Sequence, residues 1–132
     1  MSAKQVVQPN EIARPAGAWS PAIVVTEPRR LVFVSGFTSR DDKGRVVCEG
    51  DISGQTRQVC ENLKATLEAA GGTLADIVSV TVFTRDITQF DAIHAVRREY
   101  FPIEPPASTM VEVSRLVDER SLIEINAIAV LR

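Results

Sequence analysis

The last strand-like segment, Leu122-Ile123-Glu124-Ile125-Asn126-Ala127-Ile128-Ala129-Val130-Leu131, constrains the fold more than any other stretch of the chain. A strand alternates its side chains between two faces. One row here is Ile123, Ile125, Ala127, Ala129 and Leu131; the other is Leu122, Glu124, Asn126, Ile128 and Val130. The first row is wholly apolar; the second is apolar at Leu122, Ile128 and Val130, with the carboxylate of Glu124 and the amide of Asn126 set among them. A sheet containing this strand therefore has two faces that need cover. A carboxylate on a covered face costs several kcal/mol unless it is hydrogen-bonded, paired or protonated, so some other group must answer Glu124. The segment before it, Pro106 to Val113, also reads as a strand, with Ser108, Met110 and Glu112 on one face.

The rest of the chain supplies a single layer of helices. Residues Met1 to about Pro21 carry three prolines and little periodicity, and are expected to begin as a loosely specified arm. Ile23-Val24-Val25 and Leu31 to Ser35 look like a hairpin turning through Thr26-Glu27-Pro28-Arg29-Arg30, and Arg45 to Cys48 like a short third strand. Ser53 is a candidate N-cap for a helix whose Thr56, Val59, Cys60, Leu63, Leu67 and Ala70 share one face, ended by Gly71 and Gly72. Ile77 to Thr84 is a central strand rich in β-branched residues, and a second helix is expected from about Thr88 to Phe101, ended by prolines. The order is β-β-β-α-β-α-β-β in one domain, residues 1–132, an α/β (α+β) fold. Two amphipathic helices cover one face of a mixed sheet and leave the other bare. Burial of that second face against other copies of the chain predicts a homo-oligomer.

Composition narrows the partners. A net charge of −2 gives no drive toward phosphate backbones, so nucleic acid is not an expected partner. The N-terminal residues lack the apolar core of a signal peptide, and no apolar run approaches the roughly 20 residues that span a bilayer. A cytoplasmic protein with no membrane partner is expected. Cys48 and Cys60 have no CxxC or Cys/His spacing, which points to free thiols rather than a metal site.

Several segments taken together resemble one family. Pro106-Ala107, Val111-Glu112-Val113, Arg115-Leu116 and Ile123-Glu124-Ile125 are similar to the C-terminal signature of the Rid family, the reactive intermediate deaminases, also called YjgF-like or L-PSP-type proteins. The resemblance extends through Val34-Ser35-Gly36, Gln58 to Gly71, Asp76-Ile77-Val78 and Thr81-Val82-Phe83. It implies a chorismate-mutase-like subunit with two helices on one face of a mixed sheet, assembled as a homotrimer around a central barrel. Ligand pockets are implied at the subunit interfaces, as is hydrolysis of enamines and imines with no metal or organic cofactor. It further implies a pocket glutamate at Glu124, a strand glycine at Gly36 with Phe37 beside it, and a pocket-closing aromatic at Trp19. A second-helix pocket residue is implied at His94. The carboxylate-binding arginine of such proteins is replaced by Ser108 and their pocket cysteine by Met110, with Thr109 between them.

These residues support a catalytic pair, Glu124 and His94, and a substrate-binding set of Trp19, Gly36, Phe37, Ser108, Thr109 and Met110. Each also has a plainer reading: Glu124 as a structural carboxylate at an interface, His94 as a packing residue, Trp19 as a contact to a neighbouring subunit, Ser108 as a strand-entry residue. A hydroxyl cannot supply the charged, bidentate contact with which arginine selects a carboxylate. Arg14, Arg40 and Arg115 are candidate replacements. The expected function is therefore hydrolytic deamination of a small enamine or imine with altered specificity. The alternative is a trimer that binds small molecules or modulates a partner without catalysis. Ribonuclease activity, associated with some members, is disfavoured by the acidic balance.

Overall fold

The computed structural model describes residues 3–132. Its elements are β1 (Ala3–Val7), β2 (Ala22–Thr26), β3 (Arg30–Phe37), α1 (Ile52–Ala69), β4 (Ile77–Thr84), α2 (Phe90–Tyr100), β5 (Ala107–Glu112) and β6 (Ile123–Leu131), with short 3₁₀ turns before β4 and α2. From α1 onward the order of strands and helices is the one expected, but the first three strands differ: β1 lies in the arm expected to be loose, and no strand forms at Arg45 to Cys48. β2 pairs with β1, not β3, in a separate two-stranded antiparallel sheet. β3 instead joins the main sheet, whose order is β3-β6-β4-β5, with β6 antiparallel to both neighbours and β5 parallel to β4.

The hairpin expected between β2 and β3 is thus absent, and the reason lies in burial. β2 alternates between exposed and half-buried positions, whereas β3 carries buried Val34 and gains more by lying beside the apolar row of β6. Part of the arm expected to be loose is strand β1, fixed by Lys4, whose Nζ donates to the carbonyls of Ala75 (3.0 Å) and Glu104 (3.1 Å). The strand expected at Arg45 to Cys48 is reduced to a single bridge between Arg40 and Val46. There the Asp41 carboxylate closes a tight turn by accepting from the Lys43 and Arg45 amides, each at 2.9 Å, and Cys48 takes a positive φ of 58° that ends extended geometry.

Both helices form where the apolar spacing places them. The cap of α1 is Asp51, not Ser53: its carboxylate accepts from the Gly54 amide at 3.0 Å, starting the helix one residue before Ser53. At the other end Gly71 takes a φ of 92°, as the glycine signal predicts. Helix α2 begins at Phe90, because Asp86 caps the 3₁₀ turn Ile87–Gln89 instead.

The helices lie on one face of the sheet. Val59, Leu63, Leu67 and Ile93 pack there with Val34, Val80, Val82, Ile123, Ile125, Ala127, Ala129 and Leu131 in one core. The opposite face is open, and it carries Leu31, Phe33 and Ile128 at 54%, 73% and 37% exposure. Phe33 and Ile128 are cross-strand partners, as are Leu31 and Val130. Among the described residues, no helix is long and apolar enough to cross a membrane.

Candidate functional site

The candidate residues fall into two groups on opposite sides of the sheet. On the open face, a register shift in β3 between Val34 and Phe37 sets Gly36 against Glu124. A methyl group built on Gly36 would overlap the Glu124 carboxylate, so glycine is required for this approach. Across β6, Glu124 faces Phe83 of β4, and Phe83 faces Val111 of β5. One row further along, Asn126 Oδ1 accepts from the Thr81 amide at 3.1 Å, and Thr81 is paired with Thr109. Glu124 is half-buried, and among the described residues no ion pair reaches it. Its strand is held at its start by Gln55, a fully buried residue of α1. Gln55 Oε1 accepts from the Leu122 amide at 2.8 Å and its Nε2 donates to the Arg120 carbonyl at 2.9 Å. This clamp sits two residues before Glu124 and is a feature that sequence reasoning missed.

The second group lies at the β5 edge, on the helix side. Residues 17–20 run along β5: Ser20 bridges Ala107, its amide donates to the Pro106 carbonyl at 3.0 Å, and its hydroxyl donates to the Pro105 carbonyl. Helix α2 supplies His94 and Arg97, three residues apart and hence on one helix face. Arg97 is 1% exposed, and its Nη2 donates to the Ala18 carbonyl (3.2 Å) and to Ser108 Oγ (2.9 Å). Burial pulls its pKa down to about 10, which leaves it charged at neutral pH.

His94 is buried and stacks on Phe90 with ring centroids 3.9 Å apart. Its Nδ1 lies 3.3 Å from the Phe90 carbonyl, which can only accept, so the neutral ring carries its proton on Nδ1 and leaves Nε2 as an acceptor. Nε2 is buried without a partner. Desolvation, and after it the charge of Arg97, hold the imidazole below its ordinary value of 6.5. A methyl group on Gly17 would overlap this ring, and the half-buried Trp19 lies alongside.

Of the residues singled out from sequence, Ser108 bonds Arg97, His94 lies one turn away on the same helix face and Trp19 sits with His94 beside Gly17, while Gly36 and Glu124 meet on the other face with Thr109 two strands from Glu124. Ser108 and Met110 pair with Val80 and Val82, so both point toward the helices. Met110 and Phe37 pack against the core, not beside Glu124. Glu112 accepts from the Ile87 amide at 3.0 Å, a structural contact. Cys48 is exposed, and burial pushes the Cys60 thiol up to about 12, too high for a nucleophilic thiolate at neutral pH. The described residues hold no group of three or more His, Cys, Asp or Glu side chains placed to bind a metal ion.

Residues 10–131 match the family model described as endoribonuclease L-PSP. The chain belongs to the Rid/YjgF/L-PSP family. Among its relatives, a RutC family protein of Pyrococcus horikoshii is 43% identical over 126 residues, covering 96% of this chain and 97% of that one. The 3-aminoacrylate deaminase RutC of Acinetobacter baylyi is 40% identical over 124 residues, covering 92% and 98%. The crystal structure of a Rid family protein of unknown function from Yersinia pestis superposes with a TM-score of 0.88 at 29% identity, covering 97% and 98%. In this Rid protein, then, the strand position expected to carry an arginine holds Ser108, and a buried arginine reaches that serine from α2.

Proposed function

We propose that this Rid protein is a hydrolytic deaminase of a small enamine or imine, assembled as a homotrimer whose subunit contacts complete a pocket around Glu124. The observation that carries the reading is the contact of Glu124 with Gly36: a carboxylate without an ion pair among the described residues, approached by a residue without a side chain, on a face lined by exposed Phe33, Leu31 and Ile128. Covering that face with another copy would close Glu124 into a pocket walled by apolar side chains, where a carboxylate beside a bound substrate can exchange a proton with it.

The chemistry follows from one group in two protonation states. As an acid, Glu124 gives its proton to the enamine carbon, turning the C=C–NH2 unit into an iminium. As a carboxylate, it takes a proton from water while the oxygen adds to the C=N carbon. The resulting carbinolamine collapses to a carbonyl as the nitrogen leaves with the remaining proton, so enamine plus water becomes carbonyl compound plus ammonia. The relative at 40% identity named for 3-aminoacrylate supports this substrate class.

The test is ammonia release from 3-aminoacrylate generated in the assay. Wild type should accelerate it, and Glu124→Gln should lower the rate about a hundredfold or more. No acceleration by wild type, or full activity in Glu124→Gln, would overturn the reading. Ser108 at the expected arginine position favours a second reading, binding without turnover, in which a ligand raises the unfolding midpoint and is recovered unchanged.

A further inference from the structure

The backbone at Glu124 is held from one side only. Toward β4, Glu124 is paired with Phe83 and Ile123 with Thr84; toward β3 the last pair is Phe37 with Ile125, so that ladder stops one residue short of Glu124. Where the carboxylate stands against Gly36 therefore depends on what fixes the chain as it enters β6.

The chain enters through a turn at residues 118–121. Asp118 closes it locally, accepting from the Arg120 amide (2.9 Å), Nε (3.0 Å) and Nη2 (2.7 Å), and the Ser121 amide donates to the Asp118 carbonyl at 3.0 Å. The ties from this turn to the surface around it are long: Arg40 lies 3.8 Å from Asp118, and Arg85 Nη1 3.4 Å from the Glu119 carbonyl. Ser121 is fully buried, yet its hydroxyl has no partner among the described residues. Beside Leu122 lies a cavity of about 380 Å³, lined also by Gly50, Asp51 and Ile52 at the start of α1, so packing leaves the entry room to shift.

Gln55 crosses from α1 to this turn. Its backbone amide bonds the Asp51 carbonyl at 2.9 Å in the first turn of the helix, and its side chain is fully buried. Oε1 accepts from the Leu122 amide at 2.8 Å and Nε2 donates to the Arg120 carbonyl at 2.9 Å, while the Leu122 carbonyl accepts from the Arg85 amide at 3.0 Å. One planar amide thus grips the residues on both sides of Ser121, with a helix end as its anchor. Glutamate matches the shape but not the hydrogens: ionised, it accepts from Leu122 and turns a second acceptor on the Arg120 carbonyl, and only its protonated form makes both bonds.

We propose that Gln55 is a positioning residue of this site: through the backbone of residues 120–122 it sets where Glu124 stands against Gly36, and with it the rate of the proton transfers assigned to Glu124. The rate rests on the deaminase reading; the placement of Glu124 does not.

The experiment compares wild type, Gln55→Met, Gln55→Glu, Leu63→Ala, Glu124→Gln and the double variant Gln55→Met with Glu124→Gln, each well below its unfolding midpoint. It reads ammonia release from 3-aminoacrylate generated in the assay and, by NMR, the Glu124 carboxyl carbon and the Gly36 amide. Gln55→Met should move both signals and lower kcat about ten- to a hundredfold, with KM changed by less than about threefold. Leu63→Ala, which loses stability without touching the strand entry, should leave the signals and kcat near wild type. In the Glu124→Gln background Gln55→Met should cost little more, because the group it positions is gone. Gln55→Glu, compared with wild type at each pH, should match it while the buried carboxyl keeps its proton and depart from it once that carboxyl ionises. The proposal is overturned if Gln55→Met leaves signals and kcat unchanged, if it lowers kcat by the same factor with and without Glu124, or if Leu63→Ala lowers kcat as much. Should Gln55→Met fail to fold, Gln55→Glu decides: signals that show no dependence on its titration overturn the proposal. Moved signals without ammonia release by wild type sink the deaminase reading alone; unmoved signals in an active enzyme sink the role of Gln55 alone.

Discussion

Strand β6 has two sides, and they are finished to different degrees. On the helix side Ile123, Ile125, Ala127, Ala129 and Leu131 are all at most 3% exposed. On the other side Glu124, Asn126 and Val130 are half-buried and Ile128 is open to solvent, beside Phe33 at 73% exposure. One chain therefore completes its own core on one side and leaves apolar surface bare on the other. The helix side carries the buried apolar surface that stabilises the chain, and the open side is the one on which we propose assembly and chemistry.

Substitutions can break or sharpen this contrast. The largest effect is expected from Leu63→Ala, at a fully buried position of α1: a loss of about 2–5 kcal/mol in denaturant unfolding. A cost near zero there would deny that the helix side carries the stability. Next is Gly36→Ala, whose methyl group must push against the Glu124 carboxylate. It should cost about 1–3 kcal/mol and also reduce ammonia release, whereas Leu63→Ala should leave turnover at low temperature nearly intact. Unchanged activity in Gly36→Ala would detach Gly36 from the site.

The smallest effect concerns pH. Burial and the Arg97 charge hold folded His94 below 6.5, so on acidification the unfolded chain takes up this proton first. The stability that neutral His94 permits is whole above about pH 6.5 and is lost as pH falls from there toward the folded value. His94→Asn should flatten the slope of unfolding midpoint against pH in that window; an unchanged slope would mean that His94 is not held neutral.

Much of this was legible in the sequence. The bounds of β4, Ile77–Thr84, follow from its own residues, because its β-branched run is bounded by a turn on each side. The apolar periods of α1 and α2 and the two rows of β6 follow equally from local spacing. The partner of a strand does not. β2 and β3 are close in sequence and both apolar, yet only the burial offered by β6, far along the chain, decides that β3 leaves its neighbour. The same limit applies to the site. Glu124 stands out as a carboxylate in an apolar row, but its meeting with Gly36 depends on a register shift in β3 with no sequence signal of its own. Arg97 sits on the buried stripe of α2 beside Val96, where an arginine ordinarily extends its head to water; Ala18 and Ser108, both distant in sequence, are what hold it inside. Gln55 left a faint signal, a polar residue on the apolar face of α1.

The central claim is that the open face is an interface that makes the site around Glu124 work. Sedimentation velocity and ammonia release, measured on the same micromolar samples of wild type and Phe33→Asp, test it most directly. The account predicts that wild type sediments as three chains and releases ammonia, while Phe33→Asp keeps its helical circular dichroism, sediments as one chain and is inactive. A wild-type protein that sediments as a single chain, or a monomeric Phe33→Asp that deaminates at the wild-type rate, would contradict it.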